Sequence, residues 1–281
     1  MLCDCHLHTS FSADSDTPVS AQIEQAIALG IKTICFTDHH DYDSPGPDGK
    51  DHFLLDFDSY FPAMQKYRER YRDRIEILSG VELGLQKHTG SYLNELTEKY
   101  KDSLDFVIGS NHFVDRIDVY SPSYYEMSPL SSTGDPSRIE PERFEHFFRV
   151  SLSRLEKLSC FDSLGHMDFV IRYSMHKNKY YSYEAFRDYI DPMLEILIQK
   201  DKALEVNTAG FRYGLKNPNP EEKVLKRYKE LGGKLITIGS DAHEPEDLGS
   251  CFAETAALLK KCGFREYAIY KNRKPVLYPI G

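Results

Sequence analysis

Seven short apolar runs alternate with helix-patterned segments along the chain. This alternation constrains the fold more than any other feature, because repeated βα units build a parallel sheet. The runs cover residues 2–7 (LCDCHL), 32–37 (KTICFT), 75–82 (IEILSGVE), 104–110 (LDFVIGS), 161–166 (FDSLGH), 203–207 (ALEVN) and 234–240 (KLITIGS). The first predicted helix has Thr17 as its N-cap, Pro18 at its first position and Gly30 as its stop. Others are predicted near 58–72, 91–101, 141–158, 183–200, 221–231 and 252–262, and YAIYKNRKPVLYPI reads as a terminal strand or extended tail. Seven units fall one short of the usual eight-unit barrel, so the α/β fold predicted is a distorted (β/α)7 barrel, TIM-like, a single domain over residues 1–281. An open doubly wound sheet is the alternative. Two long segments, 40–56 and 111–140, follow strands and would overhang the rim where barrels carry their chemistry.

Composition narrows the partners. With 35 basic against 44 acidic residues the formal charge is −9, which disfavours a surface built to gather phosphate backbones, so no nucleic-acid partner is expected. No run approaches the roughly 18 apolar residues of a membrane span, and the start MLCDCHLH lacks the pattern of a secretory signal. A cytoplasmic location and no membrane partner are therefore expected. The six cysteines form no C-x-x-C pair and read as reduced, buried thiols.

The ends of the predicted strands carry an unusual set of groups. The first offers His6 and His8, the second runs into FTDHH with Asp38, His39 and His40, and the third offers Glu82. The fourth and fifth offer His112 and His166, the seventh Asp241 and His243, while the sixth ends in Asn207. Side chains alternate along a strand, so His6 and His8 share a face, as do Asp241 and His243, and closure of a barrel would make those strands neighbours. One histidine at a strand end is ordinarily a hydrogen-bonded core or loop group. Gathering six imidazoles with two carboxylates without a cation would cost several kcal/mol per desolvated group. Mixed His and carboxylate donors suit Zn, Mn or Fe(II) better than Ca or Mg.

These residues stand in segments, HLHTSFSAD, FTDHH, GVELG, SNHF, GHMD and GSDAH, whose order resembles the polymerase and histidinol phosphatase (PHP) family of metal-dependent phosphoesterases. The resemblance spans residues 6–243, and length together with EVNTAGFR makes it look like the histidinol-phosphate phosphatase branch. It implies a distorted seven-stranded barrel with three divalent metal ions. By motif, one would take His6, His8, Glu82 and Asp241, a second Glu82, His112 and His166, and a third Asp14, His39 and His243. Asp14 enters on the motif alone, since an Asp just before a helix is usually a capping or solvated group. Asp38 is left out because it faces away from its neighbour His39, towards the helices or to orient an imidazole.

The implied reaction is hydrolysis of L-histidinol phosphate, a small-molecule phosphomonoester, in histidine biosynthesis. A water bridging two cations loses its proton near neutrality, its pKa falling from about 15.7 to about 7, and becomes the nucleophile. A guanidinium is the natural complement for the remaining phosphate oxygens. Arg212 is the first choice for phosphate binding and His40 the second, with Arg116, Arg154 and Arg172 as weaker candidates. For protonating the leaving group, Asp241, His243 and the 111–140 segment are all open. His52, His88, His146 and His176 are read as structural or surface groups, with His88 near enough to the rim to touch substrate. Rival readings are a phosphatase for phosphotyrosine or nucleotides, a non-catalytic metal-binding domain, and an amidohydrolase. The last would need a metal-bridging lysine where Glu82 and His112 stand. Oligomeric state is not legible.

Overall fold

A computed structural model describes residues 3–46 and 48–281. Leu2 of the first predicted strand and Pro47 of the first long segment lie outside the described residues. The chain opens with β1 (Cys3–Leu7), α1 (Val19–Ala28) and β2 (Thr33–Phe36), which a two-residue strand β3 (His39–His40) follows. Next come α2 (Phe57–Tyr71), the long β4 (Glu76–Gly84), α3 (Gly90–Lys99), β5 (Phe106–Ser110) and a small hairpin of β6 (Phe113–Val114) and β7 (Ile117–Asp118). Then follow α4 (Pro122–Glu126), α5 (Pro136–Leu155), β8 (Ser163–Leu164), α6 (Val170–Tyr173), α7 (Tyr183–Gln199), β9 (Ala203–Asn207) and α8 (Ala209–Arg212). The last elements are α9 (Glu222–Glu230), β10 (Ile236–Gly239), α10 (Phe252–Lys261) and the hairpin β11 (Glu266–Lys271) and β12 (Lys274–Pro279).

All seven predicted strands form the wall. They lie in the order β1, β2, β4, β5, β8, β9, β10, each pair parallel. A parallel bridge between Leu7 and Ala242 closes the seam, supported by the Asp241 N–H to the His6 carbonyl and the His8 N–H to the Ala242 carbonyl, each 2.9 Å. The closed alternative thus prevails over the open sheet. Closure needs glycine at 239, where an added Cβ would overlap the Cβ of His6. The helices cover the outside through apolar stripes: α7 buries Phe186, Ile190, Met193, Leu194 and Leu197, each contributing about 2 kcal/mol by area.

Three expectations need correction. Pro18 rather than Thr17 is the residue before α1, and the Thr17 hydroxyl instead donates to the His243 carbonyl at 2.7 Å, tying the first rim loop to the last. Helix α5 starts at Pro136, capped by the Asp135 side chain, so the segment 111–140 is largely structured. The Asp-Pro start was hidden inside a polar stretch. The terminal segment is a hairpin, not one strand, because Asn272 and Arg273 both adopt positive φ, 48° and 63°, as a two-residue turn requires.

Candidate metal centre

His6 and His8 leave the end of β1 on one face with their Nε2 atoms 3.1 Å apart. Two imidazole nitrogens on one zinc ion stand roughly that far apart, given Zn–N distances near 2.0–2.1 Å. Glu82, fully buried at the end of β4, is the centre of the cluster. Its Oε1 accepts from the Ser110 hydroxyl at 2.6 Å and meets Nε2 of His166 at 2.9 Å and of His112 at 3.2 Å. Its Oε2 lies 3.2, 3.5 and 3.0 Å from His6 Nε2, His8 Nε2 and His39 Nδ1 but makes no hydrogen bond. Nitrogens that converge on a buried carboxylate oxygen without hydrogen-bond geometry fit a cation between them, and this donor set suits the metals expected from sequence.

Asp241, in the left-handed region at φ 55°, turns Oδ1 towards His8 Nε2 (3.3 Å) and His6 Nε2 (3.6 Å). Asp14 reaches the rim from the loop after β1, with Oδ2 3.5 Å from His39 Nε2 and 3.2 Å from His243 Nε2. The structure therefore brings all nine expected donors to one mouth. Donor atoms close enough to share an ion form the sets His6, His8 and Glu82; Glu82, His112 and His166; His6, His166 and Asp241; His8, His39 and His243; and His39, Asp41 and His112. Asp41 was not expected.

Behind the donors stand groups that orient them. Glu205 Oε1 contacts His6 Nδ1 at 2.6 Å, and its Oε2 accepts the His166 backbone N–H at 2.7 Å. Asp41 Oδ1 contacts His112 Nδ1 at 2.9 Å. Asp38, as expected, points away: it accepts from Thr9 and from the Ser12 hydroxyl at 2.8 Å, and Ser12 Oγ in turn meets His8 Nδ1 at 3.1 Å. In each case a partner on Nδ1 leaves Nε2 for the cavity. Glu205 is not among the groups expected from sequence; the one signal that could have found it is its place two residues before Asn207, on the same face of β9. Asp41 and Ser12 carried no such signal.

Burial opposes charge throughout, and the carboxylates outweigh it at most sites. Against burial, Glu205, Glu82 and Asp241 hold the His6 imidazole well above its ordinary value, and Asp41 and Glu82 raise His112 to about 10. Burial, reinforced by His243 and His39, drives His8 well down, and burial also lowers His166. Despite burial, His6, His112 and His39 hold Glu82 well below the usual carboxylate range.

The cluster opens into a cavity of about 470 Å³ walled by His39, His112, Asp118, Phe169, Arg172 and Tyr173 among others. The structure does not bring Arg212 or His40 to that wall. Arg212 donates to the carbonyls of Ser240 and Asp241 and pairs with Asp247, anchoring the closing loop. His40 points outward, with Nε2 2.9 Å from the Tyr92 hydroxyl and Nδ1 accepting the Leu55 N–H, and burial lowers it to about 4. His88 pairs with Asp43, Arg116 also pairs with Asp43, and Arg154 donates to Asn111, all away from the cavity. Arg172 is the guanidinium present: Nη1 donates to Asp241 Oδ2 at 2.6 Å, Nε to Asn219 Oδ1 at 2.7 Å, and the buried Nη2 has no partner. Asn219 in turn donates to Asp168, which fixes the set.

Known proteins carry the same frame. The PHP domain family matches residues 4–209. The histidinol-phosphatase of Lactococcus lactis subsp. lactis is 31% identical over 96% of this chain and 95% of its own. A probable histidinol-phosphatase of Clostridium acetobutylicum is 32% identical over 99% and 97%. The crystal structure of the Lactococcus lactis histidinol phosphate phosphatase, complexed with zinc, L-histidinol and phosphate, superposes with a TM-score of 0.85 at 29% identity, covering 98% of each chain. No helix among the described residues is long and apolar enough to cross a membrane. A closed seven-stranded wall, a cation-shaped donor cluster at its mouth and relatives matched from end to end have one explanation: the chain belongs to the PHP family, on its histidinol-phosphatase branch.

Proposed function

We propose that the chain is a metal-dependent phosphomonoesterase that hydrolyses L-histidinol phosphate to L-histidinol and phosphate in histidine biosynthesis. The observation that carries this reading is the end-to-end likeness to a phosphatase whose crystal structure contains zinc, L-histidinol and phosphate. His6, His8, Glu82 and Asp241 would hold one divalent ion, Glu82, His112 and His166 a second, and Asp14, His39 and His243 a third, with zinc, manganese or iron as occupants. When bound, such ions activate water as a nucleophile and stabilise charge on the phosphoryl oxygens. The chain's own groups do the rest. Glu205 and Asp41 keep protons on the Nδ1 atoms of His6 and His112, which fixes both rings with Nε2 inward. Arg172, a residue of the cavity wall whose Nη2 has no partner, takes the phosphate-binding role expected of Arg212. Asp241 and His243 both line the cavity and are proposed to manage the proton that the leaving alkoxide needs. A decayed, non-catalytic domain would have gaps in the donor set, whereas every expected donor is present and gathered.

The test is phosphate release from a panel of monoesters after loading with zinc or manganese. L-Histidinol phosphate is expected to exceed para-nitrophenyl phosphate in kcat/KM by at least ~100-fold. Equal turnover of the two would remove the substrate assignment while leaving a phosphatase, and better turnover of phosphotyrosine or a nucleotide would replace it.

A further inference from the structure

Donors around a cation treat any phosphomonoester alike, so selection among esters has to come from the rest of the wall. On the reading just proposed, the substrate carries an ammonium on the carbon next to the esterified one. That cation therefore lies beside the phosphate, inside the same cavity, and needs an anion there.

Four carboxylates line the cavity, and three are committed. Asp14 lies against His39 and His243, Asp41 contacts His112, and Asp241 accepts from Arg172 and Asn207. Asp118 is the fourth. Its Oδ1 accepts the Tyr120 N–H at 2.8 Å, and among the described residues it has no ion pair. The hairpin holds it in place. Phe113 pairs with Asp118 across β6 and β7, and the Val119 N–H donates to the carbonyl of His112 at 2.9 Å, so the carboxylate is fixed to the strand end that delivers a donor. At the tip, Asp115 and Arg116 take positive φ, 51° and 64°, as a tight two-residue turn demands, and Arg116 grips Asp43 with two bonds of 2.6 and 2.8 Å. This ties the hairpin to the neighbouring rim loop that follows β3.

Aromatic rings complete the setting. Tyr120 and Tyr173 meet edge to face at 4.9 Å, and Tyr173 meets Tyr213 at 5.3 Å, so π faces border the wall near Asp118. Such faces suit both an ammonium and an imidazole. The positive group of the wall, Arg172, is held against Asp241 and over Phe169 and Tyr213. The cavity thus presents both a guanidinium and an uncommitted carboxylate, the two groups that a substrate with a phosphate and a nearby ammonium requires. We propose that Asp118 is a specificity-determining residue that binds the ammonium group of the substrate. Burial raises the Asp118 carboxyl above its ordinary value, a cost that a bound cation would offset.

The experiment compares kcat/KM for L-histidinol phosphate and for the imidazolylpropyl phosphate lacking the amine, in the zinc-loaded wild type, Asp118→Asn and Asp118→Glu. Asp118→Asn is expected to lower the ratio of amino to deamino ester by roughly tenfold to a hundredfold, the worth of a hydrogen bond to a charged group. Asp118→Glu should recover part of it, with circular dichroism and zinc content as controls for folding. Loss of both esters by one common factor would overturn the proposal, as would equal wild-type turnover of the two. If the wild type favours both imidazole esters equally over para-nitrophenyl phosphate, the substrate reading stands and only Asp118 loses its role. If it favours neither, both fall.

Discussion

At the scale of single residues, the cluster separates groups placed to hold cations from groups that orient those residues. His166 is 2% exposed and its Nε2 sits 2.9 Å from Glu82, so His166→Ala should remove a donor outright. Lower metal content by elemental analysis and loss of nearly all turnover are expected; full activity at unchanged metal content would exclude His166 from the centre. Glu205 acts one step back. Glu205→Gln keeps the shape but removes the charge opposite His6 Nδ1, so metal affinity should fall about 10- to 100-fold in a chelator competition while the fold is retained. The rim donors other than Asp14 are legible because each stands at or just after the end of an apolar run, whereas Asp14, in the loop after β1, rests on the motif alone. Arg172 is only a weaker candidate in the sequence because nothing local marks an arginine on a four-residue helix, α6, whose direction depends on Asn219 and Asp168 from elsewhere.

At the scale of elements, the terminal hairpin and the rim hairpin serve opposite ends. The turn of β11 and β12 lies against the start of β5 and the segment before β8: the Arg273 N–H donates to the Asp105 carbonyl, the Asn272 N–H to the Asp105 side chain, and the Arg273 guanidinium pairs with Asp162. Asp162 is 5% exposed and also accepts the Val107 N–H. Arg273→Ala leaves that buried carboxylate without its cation and should cost about 1–3 kcal/mol in urea denaturation, with metal content unchanged. A change within experimental error would show that the Arg273–Asp162 pair adds nothing to stability. The existence of this element was legible from its aromatic and β-branched residues, but its doubling back was not, because Asn-Arg is a weak turn signal beside Asn-Gly.

At the scale of the whole molecule, protons and cations compete for the same nitrogens. Without metal, His6, His39, His112 and His243 are held above their ordinary value despite burial, His112 at about 10 against 6.5. A raised folded-state value stabilises fully below the unfolded value and is lost as pH climbs through the folded one. Metal-free protein should therefore lose melting temperature as pH rises from 6.5 towards 10. Cation binding needs the neutral rings, so the stabilisation added by zinc should grow over the lower part of that span, and uptake should release protons. Thermal melts with and without chelator, at matched pH, check both signs; parallel curves would mean that cations and protons do not share these sites.

Alternating apolar and helical periods determined the barrel, and the placement of His, Asp and Glu at strand ends determined that its mouth is a cation site, because both follow from spacing along the chain. Only the tertiary structure decided which guanidinium enters the cavity, which carboxylate is left uncommitted there, and that Glu205 and Asp41 steady the imidazoles. Those choices depend on side chains distant in sequence that meet only in the closed barrel, His6 with Glu205 across the seam and Arg172 with Asp241 at the mouth. Local pattern carries no information about such encounters.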